Sequence, residues 1–260
     1  MASLFARILC GVDATEAGLT AVRRARRLAP PESELVLVAV NESRLAVHAG
    51  AAAPMLAGEL ETEALEALER AQAEAGASET RIVRGRPDEA LVRLAGEERA
   101  TLVAVGSHER RRAAGIVLGS VATRMLHDAP CSVLLARDGE TDSFPRSIVA
   151  GLDGSAHSLD AAAVAGELGE RLGADVRYVV ATGGNPLDLD VDGLGRSGLE
   201  LEYRDARPVG ALLDAARDAE ADLIVLGSRG LRGLRALGSV SERVAHHAGC
   251  SLLVVRSTDA

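Results

Sequence analysis

The residues best suited to hold a ligand are two glycine–serine turns that occur in matching surroundings. One stretch, Ala100 to Arg137, reads ATLVAVGSHERRRAAGIVLGSVATRMLHDAPCSVLLAR. The other, Ala221 to Arg256, reads ADLIVLGSRGLRGLRALGSVSERVAHHAGCSLLVVR. Each runs from an apolar strand through Gly-Ser, an Arg-rich loop, a second Gly-Ser, a helix and a Cys to another apolar strand. A helix that opens on Gly-Ser presents unpaired backbone N–H groups and the positive pole of its dipole, which together suit phosphate. Glycine allows close backbone approach, and the Ser hydroxyl can donate a further bond. The plain alternative is a tight strand-to-helix turn with no ligand, since one glycine loop alone is a weak motif. Repetition in the same context favours an anion site in at least one half.

These turns need strands and helices to hold them, and the rest of the chain supplies them in alternation. Arg7 to Val12 reads as a strand ending at Asp13, and Thr15 to Ala29 as a helix with Leu19, Val22, Ala25 and Leu28 inside and Arg23, Arg24, Arg26 and Arg27 on a solvated face. Leu35 to Val40 is a continuous apolar run of the kind found in a covered parallel strand. A loose stretch, His48 to Pro54, precedes a helix from Gly58 to Gly76. A third strand at Thr80 to Val83 and a helix from Asp88 to about Glu98 lead into the first glycine unit. Alternating strands and helices indicate βαβ units and a parallel sheet.

Arg137 to Pro145 is polar, contains Gly and Pro, and reads as a linker. The pattern then restarts. RSIVAGLD repeats RILCGVD with Asp153 in the place of Asp13, an offset of 140, whereas Gly238 matches Gly119 at an offset of 119. About 20 residues are therefore missing from the middle of the second half, at Thr182 to Gly198, where a polar loop stands in for the Ala/Glu-rich helix. Asp13 and Asp153 each end a first strand. In a doubly wound sheet ligands settle at the carboxyl ends where strand order reverses. Two roles fit these aspartates equally: holding a polar base or sugar, or capping the next helix with Thr15 and Ser155.

Composition narrows the function. With 29 basic and 38 acidic residues, a net charge of −9, 2% aromatics and no Trp, nucleic-acid binding is disfavoured. All basic residues are Arg, so neither a P-loop lysine nor a Schiff-base lysine is available; a GC-rich coding bias accounts for this. Cys10, Cys131 and Cys250 have no ligand spacing and read as small buried hydrophobes. No apolar run reaches about 18 residues and the opening residues enter a strand, so the expectation is a cytoplasmic protein with no membrane segment.

Both halves resemble universal stress protein domains, over nearly the whole chain apart from the linker and Thr182 to Gly198. Nucleotide-binding members carry G-x2-G-x9-G-[ST] after the fourth strand, an Asp ending the first strand and a small apolar residue ending the second. The resemblance assigns Asp13, Val40, Gly106, Gly119 and Ser120 in the first half, and Asp153, Val180, Gly227, Gly230, Gly238 and Ser239 in the second. Each half departs once. Glu109 replaces the first half's middle glycine; if that position needs a left-handed backbone, the cost is about 1–2 kcal/mol, and its carboxylate repels phosphate unless Arg110 to Arg112 neutralise it. The second half's spacer, Leu231 to Leu237, has seven residues instead of nine and loses up to ~7 Å of reach. On this basis the second half is expected to be the better site.

The resemblance implies two α/β, Rossmann-like (adenine nucleotide alpha hydrolase-like) domains, residues 1–138 and a shortened 145–260 without the second helix region, each a parallel five-stranded sheet flanked by helices. It implies ATP, with Mg²⁺ as companion ion, as the ligand, and pairing of the last strands, SVLLAR with SLLVVR, as a pseudo-dimer within the chain. It also allows a homodimer of two chains. Three functions follow: a stress-response module that holds an adenine nucleotide without obligatory turnover, a non-binding family member that acts through assembly or partners, and an enzyme, at most a weak ATPase. No metal site and no catalytic constellation stands out.

Overall fold

The computed structural model describes residues 5–42, 53–76, 78–107, 110–112, 115–139, 143–183, 200–228 and 239–256. Contacts divide the chain into two compact units, residues 1–108 with 118–137, and residues 109–117 with 138–260.

In the first unit, β1 (Arg7–Val12), α1 (Glu16–Leu28), β2 (Glu34–Asn41), α2 (Ala53–Ala75), β3 (Glu79–Arg84), α3 (Pro87–Glu97), β4 (Leu102–Gly106), α4 (Ser120–Asp128) and β7 (Ser132–Ala136) follow in order. The five strands pair in parallel as β7-β4-β1-β2-β3. Strand order therefore reverses between β1 and β4, which is where open α/β sheets place their crevice. Helix α1 packs with α2, and α3 with α4, so the sheet is covered on both faces. Buried Ile8, Leu9 and Cys10 of β1, Val36 to Val38 of β2 and Leu102 to Val105 of β4 form the core. Their continuous burial is why these strands read as unbroken apolar runs rather than alternating ones.

Two short strands, β5 (Arg110–Arg112) and β6 (Gly115–Val117), pair antiparallel within the spacer of the first glycine unit and group with the second unit. That unit contains β8 (Ser147–Leu152), α5 (Ala156–Leu172), β9 (Asp175–Ala181), β10 (Leu201–Arg204), α6 (Pro208–Asp218), β11 (Leu223–Gly227), α7 (Ser239–His247) and β12 (Ser251–Val255). Its strands are again parallel, in the order β10-β9-β8-β11-β12. The two halves thus share an architecture, with β8 and β11 in the places of β1 and β4. The polar loop expected at Thr182 to Gly198 falls, from residue 184 onward, outside the described residues.

The sequence reading needs three corrections. Helix α2 starts at Ala53, not Gly58. Pro54 sits in its first turn, where the missing N–H costs no helical bond. Arg24 is 3% exposed, not on a solvated face. It lies beside the Val22–Ala25–Leu28 stripe of a helix that is buried over most of its circumference. Arg137, read as the start of a polar linker, is fully buried, and Phe144 near its end is buried as well. Cys10 and Cys131 are buried and reduced, as expected, and Cys250 is half-buried. Burial pushes the Cys10 thiol well above its ordinary value. Among the described residues, no helix is long and apolar enough to cross a membrane.

One contact recurs in both units. A Cβ at Gly106, the last residue of β4, would lie 2.4 Å from the Ala17 carbonyl oxygen in the first turn of α1. A Cβ at Gly227, the last residue of β11, would lie 2.3 Å from the His157 carbonyl oxygen in the first turn of α5. Backbone cannot yield as a side chain does, so overpacking here is costly. Gly106→Ala and Gly227→Ala are each expected to destabilise by about 1–3 kcal/mol. Gly96→Ala, at an open helical position, should instead stabilise by about 0.5–1 kcal/mol. Thermal and urea melts of the three variants check this, and equal midpoints would refute the packing role.

Candidate functional site

The first half's five assigned residues converge. Asp13 follows β1, Val40 lies near the end of β2, Gly106 ends β4, and Gly119 and Ser120 open α4. All five line one cavity of about 370 Å³ at the carboxyl ends of the strands, within the usual range of ≈ 300–1,000 Å³ for small-molecule sites. Val12, Val38, Ala39, Val105 and Leu91 supply apolar lining, and α2 closes one side with Leu60, Glu63, Ala64 and Ala67.

Each assigned residue has a separate physical basis. Gly106 is required by the packing just described, so its presence does not depend on a ligand. Gly119 differs: it is the N-cap of α4 with φ −67° and ψ 163°, and a Cβ there would meet nothing within 4 Å among the described residues. Neither strain nor packing calls for glycine at this position. What the missing side chain leaves open is the approach to the first turn of α4, where Ser120, Val121 and Ala122 line the cavity. The Thr123 N–H is the first to bond back, to the Gly119 carbonyl at 3.0 Å, and the preceding N–H groups belong to the unpaired end of the helix. The dipole adds partial positive charge at the same point.

Asp13 braces the cap of α1, which is formed by Thr15. Its Oδ1 accepts from the Thr15 N–H at 3.1 Å and from the Thr15 hydroxyl. The Thr15 hydroxyl in turn accepts from the Gly18 N–H at 3.3 Å, at the start of α1. Asp153, Ser155 and Ser158 repeat this arrangement at the start of α5, with the Ser155 N–H 3.0 Å from Asp153 Oδ1. Asp13 also lines the cavity.

In the second half, Val180 and Gly227 lie on β9 and β11, the neighbours of β8, and Asp153 follows β8. The register sets Val180 opposite Leu152. Val180, however, is fully buried, whereas Val40 is half-exposed toward its cavity. Gly230 and Gly238 lie outside the described residues, as does the side chain of Ser239, whose backbone begins α7. Glu109 also lies outside them. The geometry of a convergent site is thus described for the first half.

Sequence reasoning missed the wall. Glu42, one residue beyond β2, and Glu63 of α2 line the cavity, and neither belongs to the glycine pattern. A helical count from the buried Ala64, Ala67 and Ala71 places Leu60 on the same stripe and Glu63 beside it, and that signal was available in the sequence.

A family model for universal stress proteins matches residues 4–137 and 184–256. The chain belongs to the universal stress protein family. Over 59 residues it is 46% identical to a universal stress protein of Synechocystis sp. and 41% identical to one of Bacillus subtilis, each match covering 22% of this chain. The chain spans 38% and 40% of the length of these two relatives. A solved universal stress protein from Archaeoglobus fulgidus shares the fold, with a TM-score of 0.77 at 19% identity, over 98% of this chain and 99% of that one. The family model passes over residues 138–183, yet β8, α5 and β9 repeat the β1, α1 and β2 of this universal stress protein.

The α2 wall is fastened to α1 by Arg23, which donates to Glu74 at 2.9 and 3.0 Å and to Glu16 at 2.7 Å. Arg70 adds a bond to the Ala14 carbonyl at 2.9 Å. The hydrogen bonds from Arg23 hold the Glu74 carboxyl below its ordinary range. A depressed carboxyl contributes stability above its unfolded pKa of about 4.3 and loses it as pH falls through the lower folded value. With the Glu74 side chain 36% exposed, solvent screening limits the contribution to no more than about 1 kcal/mol. Melts of the protein and its Glu74→Gln variant should therefore differ at pH 7 and converge as pH falls below the lowered folded-state pKa of Glu74. A gap that widened on acidification would contradict the assignment.

Proposed function

We propose that the first-half cavity binds an adenine nucleotide, with its phosphate end on the amino end of α4 at Gly119 to Ala122 and its base or sugar near Asp13 and Val40. The observation that carries this reading is the convergence of all five first-half motif residues on one cavity. Apolar walls suit a base, and a helix amino end suits phosphate. Binding without obligatory turnover is the accompanying reading: the described lining includes carboxylates and the Ser120 hydroxyl but no His, Cys or Arg.

A substitution at Gly119 separates ligand from fold. Asp is a favourable N-cap and its charge suits the helix dipole, so Gly119→Asp should leave the melting temperature unchanged or raise it. The same carboxylate occupies the place of the phosphate and repels it. Adenine nucleotide affinity, measured by calorimetry, is expected to fall at least about ten-fold. Unchanged affinity would remove the helix end from the site.

Nucleotide released on denaturing the purified protein should amount to about one per chain. Release of none, together with no thermal shift under millimolar nucleotide, would instead favour the second reading, a family member that acts through assembly or partners. The glutamate at position 109, in place of the motif's middle glycine, is the feature that favours it.

A further inference from the structure

The cavity has an unusual charge for a phosphate-bearing ligand. Its described lining includes three carboxylates, Asp13, Glu42 and Glu63, and no cationic side chain. Asp13 braces the cap of α1 through Oδ1. Glu42 and Glu63 form no ion pair or hydrogen bond among the described residues; Glu42 interacts electrostatically with Arg86. Arg86 is committed to Asp88, at 3.0 and 3.2 Å. Arg70, close to the rim, donates to the Ala14 carbonyl. Among the described lining residues the favourable pole is the amino end of α4, worth about half a charge. A sphere of 370 Å³ is roughly 9 Å across, within the Debye length of ≈ 10 Å at 0.1 M salt. Salt therefore leaves the carboxylates coupled to a bound anion.

We propose that Glu42 and Glu63 are specificity-determining residues that select by ligand charge, so that the cavity takes an adenine compound with few negative charges and discriminates against the triphosphate. The inference rests on the adenine nucleotide reading above. One phosphoryl group finds the α4 amino end, and each further charge meets the two carboxylates, which no cationic side chain among the described lining residues offsets.

The test is calorimetric titration of the full chain with adenosine, AMP and ATP, in EDTA and low salt, repeated on the Glu42→Gln/Glu63→Gln double variant. AMP should bind more tightly than ATP. The double variant should raise ATP affinity by about ten-fold while changing adenosine affinity by less than about two-fold. The substitutions preserve shape and sit at non-core positions, and equal melting temperatures would show that folding is intact. ATP binding more tightly than AMP in the unsubstituted protein, or an ATP-to-adenosine ratio unchanged by the double substitution, would overturn the selection while leaving the nucleotide reading in place. Failure of all three compounds to bind would overturn that reading and the selection with it.

Discussion

The close approach of a helix's first turn to the end of a strand governs this architecture. In the first unit the Ala17 carbonyl and Gly106 stand too near for any side chain, and His157 and Gly227 repeat the contact in the second. Seating α1 so deeply over β4 fixes where the loop between β1 and α1 ends. That loop carries Asp13, and the Asp13–Thr15 hydrogen bonds lock it to the helix. The crevice at the strand-order reversal is therefore a product of backbone packing. A ligand entering it meets a surface already set, which lowers the ordering cost of binding.

Two opposing electrostatic features share that crevice. The amino end of α4 attracts negative charge over a short range, because the helix dipole acts mainly through its first turn. The carboxylates at positions 42 and 63 stand on β2's continuation and on α2. Their elements come from the other side of the strand-order reversal, so the two features have separate structural origins. Substitution on α2 can alter the second without disturbing the glycine turn that creates the first.

Much of the fold was legible because its signals are local. Apolar runs marked β1, β2 and β4, helical spacing marked α1, and Pro87 with Asp88 marked the start of α3. The glycines were legible as positions but not as roles. Gly106 and Gly119 look alike in sequence, and the distinction between a packing glycine and an open one depends on what a Cβ would touch. Asp13 was likewise ambiguous until its hydrogen bonds to Thr15 were seen. The burial of Arg24 and Arg137 escaped the reading because it depends on neighbours distant in sequence. Glu63 sits beside a helical stripe that the sequence carries, but Glu42 escaped the reading because it follows β2 in a segment without periodicity.

Helix α2 has a property that follows from its packing. Its fully buried residues begin at Ala64 and continue through Ala67, Leu68, Ala71 and Ala75. The residues before Ala64, including Leu60 and Glu63 at the cavity, have no such anchor, and Met55 is 72% exposed. Local opening free energy tracks buried contacts, so the outer turns of this helix can fray while its inner turns hold. Traffic through that side of the cavity then needs no loosening of the sheet. Opening of the cavity wall and the global stability of the domain become separately tunable quantities, one set by the outer turns of α2 and the other by the core beneath.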